Sequence, residues 1–283
     1  MKTLRMKIVS TVAFVSLYLC TLMWLFHAFY FLRDPGYLSE NAIPFWATVI
    51  SLIAVVSVIL FIRTGYLDRI YRKLRKGEIC TEKEIRKARR IMRLIPILIV
   101  ATNIFGFFLG PIISTIVAAV MRVSPVIPIL LVLTIVYNVA IGIISSIQSI
   151  YLVNIILMEP RRLFNVHHIA DAEKGLGFRA KNMLVSLGSV VSAVTIFLAA
   201  GYGFFQEKGA VSPENLAAYQ SGQAGDFLFQ MVLLAVIVIA ILALTIFIVI
   251  NEQRTQFRFL ISCMERVSGG GDSLSERLPI IQN

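Results

Sequence analysis

Charge is confined to the gaps between six long apolar runs, and that confinement limits what the chain can fold into. The runs at 8–31, 42–62, 94–120, 126–157, 183–205 and 227–250 contain none of the 43 Asp, Glu, Lys and Arg side chains. At about 1.5 Å per helical residue each run is long enough to cross a hydrocarbon core of about 30 Å. Backbone in lipid must satisfy its own hydrogen bonds, and the runs lack the period-2 alternation of a barrel strand, so helices are expected. An apolar content of 58% and a mean hydropathy of +0.81 exceed what a soluble domain carries. The expected fold class is an all-α membrane protein, a six-transmembrane-helix bundle at 1–250, followed by a juxtamembrane amphipathic helix at 251–283.

The basic residues set the orientation. Of 27 Lys and Arg, 24 fall in the N-terminus, 63–93, 159–182 and 251–283, while the alternate connections hold Arg33, Arg122 and Lys208. Basic segments resist translocation, so both termini are expected in the cytoplasm of a bacterium whose inner membrane the chain spans. A pI of about 9.8 then needs no nucleic-acid partner, because anionic lipid headgroups account for these charges. In 63–93, Thr81-Glu82-Lys83-Glu84 has the form of a capping box opening a helix that runs into the third span.

The first run begins with a basic Met1-Lys2-Thr3-Leu4-Arg5 but is too long for a signal peptide and lacks a small-residue cleavage site, so it stays as a span. Trp24, Phe26, Phe29 and Tyr30, with Phe45 and Trp46 opposite, suit an aromatic belt, and His27 reads as an interfacial residue. Cys20, Cys80 and Cys263 have no metal-ligand spacing. His167-His168 with Asp171 is a lone adjacent pair, and Gly269-Gly270-Gly271 lacks the Lys of a phosphate loop. No catalytic residue, cofactor or metal is expected.

Spans free of Asp, Glu, Lys and Arg argue against pumps and proton-coupled carriers. A carrier of neutral solutes remains a weaker alternative. Pro96 and Pro128 fall where first turns are expected, leaving Gly110-Pro111 as the one central interruption. Asn103, Asn138, Ser145 and Gln148 are polar within spans, the last three at roughly helical spacing along the fourth. They suit interhelical hydrogen bonds or a small-ligand pocket. Gly106 with Gly110, and Gly188 with Ser192, have the small-xxx-small spacing of helix contacts. The connection at 206–226 is too short for a folded sensory domain, with Ser212-Pro213-Glu214 able to open a short helix.

Beyond the sixth span the chain continues as an amphipathic helix. Phe257, Leu260, Ile261, Met264 and Val267 step by threes and fours, the spacing of a helix–helix seam. Gly271, Asp272 and Leu274 then form a turn, followed by Glu276, Arg277, Leu278 and Pro279. This stretch resembles the first helix and connector of a HAMP linker, the membrane-proximal module of bacterial receptors. It departs from that family in carrying Glu252-Gln253-Arg254 where a proline is usual. It also ends at Asn283, where the family's second helix begins, which implies a longer parent protein. The resemblance implies a parallel homodimer through the C-terminal helix and a downstream effector. The expected function is therefore the membrane-input part of a signal-transducing receptor, of the methyl-accepting chemotaxis type. A HAMP-containing adenylate or guanylate cyclase, or a histidine kinase, is the alternative.

Overall fold

A computed structural model describes residues 3–31, 36–121, 128–164, 178–209 and 216–268. Nearly all of the described residues are helical, and six of the helices are long and apolar enough to span a membrane. This is a multi-pass membrane protein. In chain order α1 is Leu4–Phe26, α2 Tyr37–Glu40, α3 Ala42–Arg75, α4 Glu82–Val120, α5 Pro128–Ile156, α6 Met158–Leu163, α7 Phe178–Gly209 and α8 Leu216–Ser268. A π-helical turn, His27–Phe31, continues α1.

α5 is the central pillar. It packs against α1, α4, α7 and α8, while α3 packs against α1 and α4. Its apolar window is 72% buried, against 22% in α3, α4 and α8, whose remaining faces are left to lipid. The core divides into two layers. Near the end carrying the charged helix extensions, hereafter the basic end, Leu60, Leu67, Ile95, Ile99 and Ile150 are fully enclosed. Towards the opposite end, Phe26, Phe45, Phe107 and Tyr137 build a ring-rich layer with Ile196 and Leu234.

Several helices outrun the apolar stretches that announce them. α4 starts at Glu82, where Thr81 Oγ1 accepts from the Glu84 amide at 3.3 Å and the Glu84 carboxylate accepts from the Thr81 amide at 2.9 Å. That amide, with the Lys73 amine 3.2 Å away, holds the Glu84 carboxyl below its usual range at this extramembrane turn. Because α4 starts so early, Pro96 lies in the helix interior, not in a first turn, and α4 runs unbroken through both Pro96 and Pro111. The connection expected at 206–226 is also largely helical, since α7 reaches Gly209 and α8 begins at Leu216. Ser212, Pro213 and Glu214 lie outside the described residues, as do His167, His168 and Asp171.

Candidate functional site

A cavity of about 320 Å³ lies between α1, α3, α4 and α5 in the half of the bundle away from the basic end. It extends from an exposed rim at Glu40 past Trp24, His27 and Asn138 to Asn103 and Ser16. Its walls carry the rings of Trp24, Phe45, Phe107 and Tyr137. This volume is at the low end for ligand sites, which run to roughly 300–1,000 Å³.

Space for the cavity comes from small residues on α4. A Cβ added at Gly106 meets nothing within 4 Å, and one at Gly110 meets only Leu52 Cδ1, at 3.7 Å. The Gly106–Gly110 pair therefore lines open space in place of the helix contact its spacing suggests. Close approach occurs elsewhere. A Cβ at Gly142 would stand 2.9 Å from Phe107 Cβ, and one at Gly188 2.8 Å from Ile143 Cγ2. Ser192, one turn beyond Gly188, donates to the Ala140 carbonyl at 2.7 Å and joins α7 to α5.

The polar residues of α5 point in two directions. Asn138 and Ser145 are seven positions apart, nearly two turns, and lie towards α4. There Asn103 Nδ2 donates to Ser145 Oγ at 3.2 Å, and Asn138 Nδ2 donates to the Thr134 carbonyl at 2.7 Å. Gln148 is about 60° around the helix from Ser145 at 3.6 residues per turn, and it turns to other neighbours. Its Oε1 accepts from the Tyr18 hydroxyl, and its Nε2 donates to Thr245 Oγ1 at 2.8 Å. Gln148 thus ties α1, α5 and α8 together at a fully buried point.

The aromatic residues and His27 of the first span have packing partners across the bundle. Trp24 stacks on Phe45 at 5.5 Å and meets Trp46 edge-on at 5.3 Å, so these rings pack on one another, while Phe29 is exposed. His27 opens the π-helical turn and shares a hydrogen bond between its Nδ1 and the Tyr137 hydroxyl, which ties the end of the first span to α5. π-bulges concentrate at functional sites. The His27–Tyr137 pair and the cavity-lining role of Trp24 were missed in the sequence, because residues on different helices show no mutual spacing there. His27, the one His in a span, was the available signal.

At the basic end, ionic contacts join the helix extensions. The buried Asp68 lies 3.2 Å from Arg72 Nη2 and 3.9 Å from Arg5 Nε, and Arg5 also sits 4.1 Å over the Phe61 ring. Arg89 Nε donates to the Phe164 carbonyl at 2.7 Å, and Arg161 Nη2 donates to Asn154 Oδ1 at 2.8 Å. Glu252, just past the last apolar run of α8, is buried near Arg161.

α8 is one uninterrupted helix of 53 residues, about 80 Å long, from Leu216 to Ser268. Phe257 and Ile261 on its extension are exposed. Leu260, Met264 and Val267 lie on the same helix, their side chains outside the described set. Gly271, Asp272, Leu274, Glu276, Arg277, Leu278 and Pro279 lie outside the described residues altogether. Among the described residues no cluster of His, Cys, Asp and Glu could hold a metal ion.

Fold and site together define a polytopic helical membrane protein with a ring-lined cavity on one side of its central helix. No family model, no curated protein and no solved structure matches the chain.

Proposed function

We propose that this chain is the membrane-input part of a bacterial signal-transducing receptor. A stimulus read inside the bundle shifts α8, and the shift passes through a HAMP-like linker to a downstream effector. The effector is of the methyl-accepting chemotaxis type, with an adenylate or guanylate cyclase or a histidine kinase as the alternative. The observation that carries the reading is the continuity of α8, which ties the buried Gln148–Thr245 bond to the exposed Phe257 and Ile261 within a single rigid element. A helix hydrogen-bonded to the core near its middle and bare towards its C-terminal end is suited to relaying a displacement. In this reading both termini are cytoplasmic, and the chain pairs with a second copy through the seam of α8.

The test is disulfide cross-linking in native membranes. Cysteine is placed singly at each position from 255 to 267 in a chain whose Cys20, Cys80 and Cys263 are replaced by serine. Cross-linked dimers should peak at positions 257, 260, 261, 264 and 267. A flat profile, or no dimer at any position, sinks the proposal.

The cavity also favours a carrier for a neutral solute. That reading requires a second opening at the basic end, where Leu60, Leu67, Ile95, Ile99 and Ile150 close the core. The receptor reading needs no such opening.

A further inference from the structure

The lining of the cavity specifies a ligand chemistry. Of the described Asp, Glu, Lys and Arg, Glu40 alone lines it, at the exposed rim. Among the described residues an anion inside would have no cationic partner, and a cation at the depth of Asn103 would lie away from the one described acid, at the rim. Burying either charge unpaired is costly, so the occupant is uncharged. The walls are flat rings, which favour a ring against them. The amide nitrogens of Asn103 and Asn138 are committed to Ser145 Oγ and the Thr134 carbonyl, and among the described residues no donor reaches either side-chain oxygen. Two carbonyl acceptors are therefore left for the occupant, which must bring a donor.

We propose that the cavity binds a compact, uncharged aromatic molecule carrying an O–H or N–H donor, of the phenol or indole kind, with that donor on Asn103 or Asn138. Its aromatic body lies between Trp24, Phe107 and Tyr137, over the space left by Gly106. This deepens the receptor reading by supplying its stimulus class, and it rests on that reading only for the consequence of binding.

Indole, 1-methylindole and tryptamine are titrated calorimetrically into the full chain in lipid nanodiscs, with empty nanodiscs subtracted. The three probes keep the ring and change in turn the donor and the charge. Indole should bind saturably at one site per chain, 1-methylindole at least about fivefold more weakly, and tryptamine more weakly still. Gly106→Leu should abolish binding by filling the space. One of Asn103→Leu and Asn138→Leu should bring indole down to the level of 1-methylindole, a result that does not depend on whether the Gly106 variant folds. Heats equal to those of empty nanodiscs overturn the proposal. So does 1-methylindole or tryptamine binding as tightly as indole, or indole binding unchanged in both asparagine variants. Cross-linking along α8 needs no ligand, so failure of the site and failure of the relay are read separately.

Discussion

Alanine replacing glycine in a helix interior gains up to about 1 kcal/mol from backbone entropy, unless the new methyl group lands on a neighbour. The contacts in this bundle therefore give opposite signs at similar sequence positions. Gly106→Ala should raise the melting temperature of the detergent-solubilised protein, because its Cβ enters the cavity. Gly142→Ala and Gly188→Ala should lower it, since their Cβ atoms press on Phe107 Cβ and Ile143 Cγ2. Overpacking of this kind costs about 1–3 kcal/mol. A Gly106→Ala loss as large as that of Gly142→Ala would mean α4 is closed against its neighbours and the cavity is absent. Spacing alone marks Gly106 and Gly188 alike as packing positions; only the identity of the facing side chain separates them.

At the scale of the element, the two long extensions carry the predictions. Thr81 caps α4 through the Glu84 amide, and losing such a cap typically costs about 1 kcal/mol. Thr81→Ala should speed amide exchange over residues 82–86 while leaving the membrane-embedded part of α4 protected. Equal protection throughout would show that Lys73 and Glu84 hold this end without the cap. In α8, one residue inserted after Glu252 turns everything beyond it by about 100°. The cross-linking maximum should then leave positions 257 and 261 and move to a neighbouring face. An unmoved maximum would place the pairing force outside the helix.

At the scale of the whole molecule, the uneven distribution of Lys and Arg predicts a cytoplasmic basic end, and exposed loop positions test it. Ile79, 99% exposed, and Glu40, exposed at the cavity rim, sit at opposite ends. With the native cysteines replaced, Glu40→Cys should react with an impermeant maleimide on intact cells, and Ile79→Cys only after permeabilisation. The reverse pattern inverts the topology. Six helices, their order and the continuity of α8 were legible because lipid enforces long apolar runs and no glycine or proline interrupts 227–268. Pro96 was misplaced because the start of a helix is fixed by its cap at Thr81 and not by the onset of hydrophobicity. The cavity was half legible. Asn103 and Asn138 stand out as polar residues in apolar runs, whereas Trp24, His27 and Tyr137 converge through tertiary packing that no local pattern encodes.

The central position of α5 also sets an order of biogenesis. Mean hydropathy is 3.5 in the α8 window and 1.9 in that of α5, which carries buried Ser146, Gln148, Ser149 and Asn154. α8 can leave the insertion machinery for lipid unaided, whereas α5 brings side chains that lipid does not solvate. It is synthesised after α1 and α4, which are in place to receive it, but before α7 and α8, which cover its other sides. Gln148 obtains its last partner, Thr245, only when α8 arrives. Locking the bundle and installing the helix that leads out of it are thus one event in the life of the nascent chain.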